Sequence, residues 1–230
     1  MPKVFITRPI PDQGIKLLKA KGYKLSIYPK DESIPRADLL KGVRGAQAIL
    51  CDLTEKIDTP VLRAAGPQLK IVANYAVGTD NIDLAACKKS GVLVTNTPGV
   101  LTDAVAEHTF GLILSLAHRI VEADVFFRAG KYKGWEPMLL LGHSLAGKTL
   151  GIVGLGRIGS RVAHHAVRGF DMNVVYCDLK PDKDFERTYQ AIYKTRVEDV
   201  LAEADYVSLH VPLTPETRHL INAERLRLMK

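Results

Sequence analysis

The sequence predicts an α/β protein with parallel sheets in two successive units. Three observations predict it. Short apolar, often β-branched runs alternate with helical patterns through the first hundred residues. A second series of the same kind begins near residue 149, around a glycine-rich turn. Between the two series, Asn96-Thr97-Pro98-Gly99 has the composition of a linker.

In the first series the strand-like runs are Lys3–Ile6, Lys24–Tyr28, Ala46–Leu50, Lys70–Ala73 and Val92–Thr95. Helical patterns occupy Gln13–Lys21, Arg36–Val43, Pro60–Ala65 and Ile82–Ser90, with Gly22, Gly45, Gly66 and Gly91 placed as C-cap glycines. Five strands alternating with helices predict a parallel sheet covered on both faces. Ligands of such sheets bind outside the carboxyl ends of the strands. The loop there after the fourth strand is Asn74-Tyr75-Ala76-Val77-Gly78-Thr79-Asp80-Asn81-Ile82-Asp83. Two readings stay open: the Val77 and Gly78 N–H groups form a small nest for a carboxylate, or the loop is a turn with Asp80 capping the next helix.

After the linker, Thr102 to His118 reads as one helix, apolar over much of its surface through Leu112, Leu114, Leu116 and Ala117. Ala129–Gly147, with Trp135, Pro137, a Leu139-Leu140-Leu141 run, and Gly130, Gly134 and Gly142, reads as an arm. An apolar helix and an apolar arm suggest a homodimer, with internal packing the alternative.

The second series opens with Leu150, Ile152 and Val153, a buried-strand signal, followed directly by Gly154-x-Gly156-x-x-Gly159. Ile158, Val162, Ala163, Ala166 and Val167 then recur at helical spacing, and Val174 to Cys177 forms another apolar run ending on Asp178. Each part has a mechanical reason. Gly154 permits the tight turn, Gly156 lets backbone N–H groups approach a pyrophosphate, and Gly159 lets the helix pack close to the strand. The helix N-terminus offers unpaired donors to the phosphates. Asp178 suits the adenosine-ribose hydroxyls and repels a 2′-phosphate, favouring NAD(H) over NADP(H), although Lys180 nearby weakens that preference. The order of strand, glycines, helix, strand and acid makes dinucleotide binding the firmest single inference. Beyond Asp178 the polar stretch to Arg187 reads as a surface loop, Val197–Ala204 as a short helix and Asp205–His210 as a strand. Val211–Thr217 is a loop at that strand's carboxyl end, and Leu220 to Lys230 begins a further helix.

A 47% hydrophobic and 25% charged composition is that of a soluble globular protein. The net charge of +7 invites a nucleic-acid partner, but the basic residues are interleaved with acids, as in Lys180–Arg187, and form no run. A solvated surface that steers anionic substrates is the better account. The N-terminus lacks a long apolar segment and no stretch is long enough to span a bilayer, so a cytoplasmic protein is expected. Cys51, Cys87 and Cys177 are widely spaced and read as reduced core cysteines, with no metal set. His108, His118, His143, His164, His165, His210 and His219 read as packed or surface residues.

Asn74–Asp83, Val94–Asp103, Gly147–Gly159 and His210–Ile221 together resemble the D-isomer-specific 2-hydroxyacid dehydrogenases, most closely the glyoxylate/hydroxypyruvate reductases. The resemblance implies a flavodoxin-like substrate domain over 1–98 and a Rossmann NAD-binding domain over 99–230, incomplete at its C-terminus. The latter includes a dimerisation helix and arm at 101–146. It implies that Val77 and Gly78 bind the substrate carboxylate and that Thr102 lies near the nicotinamide end. Leu155, Gly156, Arg157 and Ile158 are implied at the pyrophosphate and Asp178 at the ribose. His210, Val211, Pro212 and Thr217 are implied on the adenine side.

The family's catalytic side chains are an arginine in an Asn-x-Ala/Ser-Arg-Gly motif, a glutamate, and a histidine in a Pro-His-x-Gly motif. Neither motif occurs in these 230 residues. The chain therefore reads as the front two-thirds of such an enzyme, expected to bind NAD(H) poorly or not at all and not to turn over. The implied reaction is reduction of a small 2-oxo acid, glyoxylate or hydroxypyruvate, to the D-2-hydroxy acid. The alternatives are a phosphoglycerate- or D-lactate-type dehydrogenase, or a non-catalytic NAD(H)-binding or interaction protein of the same fold.

Overall fold

The computed structural model describes residues 1–230, which divide into two compact units, Met1–Gly99 and Val100–Lys230. The first contains β1 (Lys3–Ile6), α1 (Asp12–Ala20), β2 (Lys24–Ile27), α2 (Arg36–Gly42), β3 (Ala48–Cys51), α3 (Thr59–Ala65), β4 (Ile71–Asn74), α4 (Leu84–Lys89) and β5 (Leu93–Thr95). The sheet order is β2-β1-β3-β4-β5 with every pairing parallel. That order is the flavodoxin-like winding, whose direction reverses between β1 and β3. Gly22, Gly45, Gly66 and Gly91 all take positive φ beyond the helix ends. Asp58 caps α3 and Asp83 caps α4, each accepting an N–H of the first turn. Asp80 does not cap α4, because that helix starts at Leu84.

One face of this sheet is a closed core. Phe5, Ile49, Cys51 and Val72 meet Leu39 of α2 and Val43 just after it, Val61 and Leu62 of α3, and Cys87 of α4. Packing is tight enough that a Cβ on Gly42 would lie 2.2 Å from the Phe5 ring. The opposite face differs from the expectation of cover on both sides. There α1 contributes Leu18 to a trough of about 430 Å³ lined by Val4, Ala48, Leu50, Ile71 and Ala73. Burial therefore alternates along β3 and β4, as it does in a sheet with one covered face.

The second unit begins with α5 (Thr102–Ala117) and α6 (Ile120–Arg128), broken apart at Arg119, which has φ 54°. Residues 129–148 hold no helix or strand, and the arm returns to α5 where His143 N–H donates to the Ala117 carbonyl (2.8 Å). Then follow β6 (Thr149–Val153), α7 (Arg157–Phe170), β7 (Asn173–Cys177), α8 (Lys183–Tyr189), β8 (Ile192–Tyr193), α9 (Val197–Glu203), β9 (Tyr206–Leu209) and α10 (Ala223–Leu226). The parallel sheet runs β8-β7-β6-β9. Ala106, Phe110 and Ile113 of α5 and Val162, Ala163 and Ala166 of α7 cover one face of it. Phe110 stacks on Phe170 at 4.7 Å. Val200 of α9 covers the other face against Val153 and Val175.

Two local readings change, and one helix is added. The stretch expected as a loop to Arg187 contains α8, because Asp182 accepts from Phe185 N–H (2.9 Å) and Phe185 is buried against Tyr176. The two-residue β8 follows it. α6 fills the stretch between the expected helix and the arm, to which the sequence reading assigns no element. The expected helix from Leu220 reduces to the four residues of α10, capped by Asn222. No helix is long and apolar enough to cross a membrane.

Candidate functional site

The glycine turn between β6 and α7 is built from three glycines with three different steric reasons. Gly154 has φ 96°, and a Cβ there would lie 2.8 Å from the His210 carbonyl carbon and 2.9 Å from Val211 N, so the end of β9 leaves no room for a side chain. A Cβ on Gly159 would lie 2.1 Å from the Gly154 carbonyl oxygen, so only glycine brings α7 this close to β6. A Cβ on Gly156 would meet no protein atom within 4 Å. It is the exposed N-cap of α7, with no side chain capping the helix. The first-turn N–H groups and the positive end of a 14-residue helix thus face open space. A pyrophosphate fits such a cradle.

Asp178 follows β7 and is half-buried. One carboxylate oxygen accepts from Leu155 N–H (2.5 Å) and the other from Leu179 N–H (2.6 Å). The aspartate is therefore tied to the glycine turn itself. Leu155 N–H is engaged by this contact, which leaves Gly156, Arg157 and Ile158 as the donors facing outward. A cleft of about 380 Å³ adjoins, lined by Leu155, Asp178, Lys180, Pro181, Asp182, Lys183 and Asp184. Its two lysines and three aspartates suit a mixed polar ligand.

His210, Val211, Pro212 and Thr217 lie just after β9, whose neighbour is β6. The His210 ring meets the Ser208 hydroxyl at 2.8 Å, and burial lowers its pKa, so it stays neutral near pH 7. Val211 packs against the Val153–Val175–Val200 cluster. The Thr217 hydroxyl donates to the Pro212 carbonyl (2.5 Å) and accepts from Thr214 N–H (2.8 Å), closing the loop on itself. Thr102 is the half-buried first residue of α5. The other histidines have structural surroundings or none: His164 meets the Tyr189 hydroxyl (3.0 Å), His165 lies edge-on to Phe110, and His108, His118, His143 and His219 are exposed.

In the first unit, Val77 and Gly78 follow β4 at its carboxyl end, Val77 half-buried and Gly78 exposed. Beneath them lies a polar cluster that sequence reasoning did not single out. Glu55 is only 2% exposed and accepts from the Thr7 hydroxyl (2.7 Å) and Asp52 N–H (3.0 Å). Burial pushes Asp52 up, but hydrogen bonds from the Thr54 N–H and hydroxyl and the Arg8 guanidinium at 3.2 Å bring it below the ordinary carboxylate value. The Cys51 thiol is pushed up to about 12 by burial, which makes it inert. Nothing in the spacing of Thr7, Cys51, Glu55 and Asn74 signals this cluster; the parallel pairing of β1, β3 and β4 assembles it.

Residues 110–230 match the family model described as D-isomer specific 2-hydroxyacid dehydrogenase, NAD binding domain. The glyoxylate reductase of Thermococcus kodakarensis is 49% identical over 233 residues, spanning all of this chain and 69% of that protein. That of Thermococcus litoralis is 48% identical over the same share. Among solved structures, a Thermus thermophilus protein superposes with a TM-score of 0.91 at 42% identity, over 99% of this chain and 70% of that one. The Aquifex aeolicus D-lactate dehydrogenase, solved with NAD and lactic acid, gives 0.82 at 35% identity, over 99% and 66%. Identity approaching one half across the full 230 residues makes this chain a member of the D-isomer specific 2-hydroxyacid dehydrogenase family, with that family's NAD-binding domain over 110–230.

Proposed function

We propose that this chain belongs to an enzyme that reduces a small 2-oxo acid, glyoxylate or hydroxypyruvate, to the D-2-hydroxy acid with NADH. The observation that carries the reading is the glycine turn heading α7, with Asp178 bonded to it at the end of β7. Relatives named glyoxylate reductase support the substrate. We assign residues 1–98 as the substrate domain and residues 99–230 as the NAD-binding domain.

When bound, NADH supplies the hydride. Gly156, Arg157 and Ile158 N–H groups would take the pyrophosphate, with Leu155 flanking it, and Asp178 the ribose hydroxyls. Thr102 would lie toward the nicotinamide, and His210, Val211, Pro212 and Thr217 toward the adenine. Val77 and Gly78 N–H groups would take the substrate carboxylate. A neutral, half-buried His210 suits an apolar adenine neighbour rather than a proton donor. The reaction also needs a proton donor for the forming alkoxide and a cation over the carbonyl. The 230 residues hold neither Pro-His nor Asn-x-Ala/Ser-Arg-Gly. On that ground this polypeptide alone is expected to bind NAD(H) weakly and turn over nothing; hydroxypyruvate-dependent NADH oxidation by it would overturn that expectation.

The activity is tested with a chimera in which the remainder of the Thermococcus kodakarensis protein follows Lys230. NADH oxidation that depends on glyoxylate or hydroxypyruvate supports the substrate assignment. A folded, NADH-binding chimera that reduces neither, but reduces pyruvate, would place the chain with the lactate-type enzymes that the Aquifex similarity represents.

The apolar residues exposed on α5, α6 and the arm, among them Leu116, Val121, Val125, Phe127 and Trp135, support a homodimer through this surface. Free, buried Cys51 and Cys87 suit a reducing compartment, which we take to be the cytoplasm.

A further inference from the structure

The loop after β4 has four successive carbonyls, each held by a separate donor. The Ala76 oxygen accepts from Thr97 N–H (2.9 Å) and the Thr79 oxygen from Ile82 N–H (2.9 Å). Between them, the Val77 oxygen accepts from Asn96 Nδ2 (2.9 Å) and the Gly78 oxygen from Asn74 Nδ2 (2.8 Å). The peptide bonds are all trans. In a planar trans peptide the N–H of each residue points opposite to the preceding carbonyl. Holding these carbonyls therefore points the N–H groups of Val77, Gly78 and Thr79 opposite to those donors, and none of the three has an acceptor within the chain.

We propose that Asn96 and Asn74 are positioning residues that set the aim of the Gly78 and Thr79 N–H groups on the substrate carboxylate. The proposal rests on the reading that this loop takes that carboxylate, and it adds Thr79 as a third donor. Asn96 acts on Gly78 N–H through the Val77 carbonyl, and Asn74 acts on Thr79 N–H through the Gly78 carbonyl. The other two holds are backbone to backbone, so these two amides are where side-chain chemistry governs the nest. Asn74 is itself fixed: it is 2% exposed, exchanges amide contacts with Asn81 (3.1 and 3.3 Å) and accepts from the Cys51 thiol (3.3 Å). Asn81 is anchored in turn on the Asp52 carbonyl (2.8 Å). A donor set that is already aimed avoids the ordering cost that a free loop would meet on binding.

The test is a titration of the 230-residue chain with glycolate, followed by the backbone amide resonances, in wild type, Asn96→Ala and Asn74→Ala. Wild type is expected to show shifts at Val77, Gly78 and Thr79. Asn96 is exposed, so Asn96→Ala should keep the wild-type melting temperature. It should nonetheless weaken glycolate binding about tenfold, the equivalent of one lost hydrogen bond of about 1.4 kcal/mol. Its Gly78 response should shrink while that of Thr79 persists. Asn74→Ala should show the converse, and if that buried variant fails to fold, Asn96→Ala still decides. An Asn96→Ala protein with wild-type affinity and an intact Gly78 response overturns the positioning role and leaves the carboxylate reading standing. If wild type itself shows no response at these three amides, the carboxylate reading falls and takes this proposal with it.

Discussion

Gly156→Ala and Gly159→Ala differ by three positions in one turn and should behave oppositely. At Gly156 the backbone has φ −72°, which alanine accepts, and no protein atom lies within 4 Å of the added Cβ. Alanine is a poorer N-cap than glycine, by roughly 0.5–1 kcal/mol, while reduced freedom of the unfolded chain returns about 0.4–1 kcal/mol. These cancel, so stability should stay within about 0.5 kcal/mol of wild type. The methyl group would stand where a pyrophosphate approaches, so NADH affinity should fall at least about tenfold. At Gly159 the added Cβ sits 2.1 Å from a backbone oxygen, more than about 1 Å inside contact distance. Its roughly 1 kcal/mol gain in helix propensity is outweighed by an overpacking cost of about 1–3 kcal/mol or more, because the obstacle is backbone and α7 must move. A net loss of about 2 kcal/mol corresponds to about 8 °C in melting temperature for a unit of this size. Thermal melts by circular dichroism and NADH titrations followed by amide resonances measure both quantities. A Gly156→Ala protein that melts several degrees low, or that binds NADH as wild type does, would refute the cradle reasoning.

Three further outcomes follow from the same geometry. Asp178→Ala removes both the tie to Leu155 N–H and the acceptor for ribose hydroxyls; NADH should weaken about tenfold and the NADPH:NADH affinity ratio should rise, whereas an unchanged ratio would remove Asp178 from cofactor choice. Asp205 accepts Thr149 N–H at 2.9 Å, with Lys230 and Lys148 nearby, and these hold its pKa below the ordinary value. A lowered folded pKa gives stability that is present above the unfolded value of about 3.9 and lost as pH falls through the folded one. Asp205→Asn should cost about 1 kcal/mol at pH 7 and flatten the stability profile below about pH 4, and a profile of unchanged slope would exclude this carboxylate. Leu116 and Val125 are 74% and 64% exposed; Leu116→Glu with Val125→Glu should shift the sedimentation of a dimer to that of a monomer without lowering the melting temperature of the monomer, and an unaffected dimer would place its interface elsewhere.

What the sequence determined by itself is whatever chain-local periodicity and glycine chemistry specify. β1 falls on the expected Lys3–Ile6, because a β-branched apolar run between turn residues has one local solution. The glycine turn, α7 and Asp178 were legible because dinucleotide approach, tight turning and helix packing each demand a residue type at a fixed offset. α8 was not: its one buried residue, Phe185, gives no period, and its stability comes from the Asp182 cap and from Tyr176, which only the folded sheet brings against it. The half-open face of the first sheet was equally hidden, since alternation along β3 and β4 reveals which residues face outward only after strand order is known. Asn74 read as the first residue of a loop and Asn96 as linker. Tertiary structure alone made them donors to neighbouring carbonyls of one loop, because parallel pairing of β4 with β5 places their ends side by side.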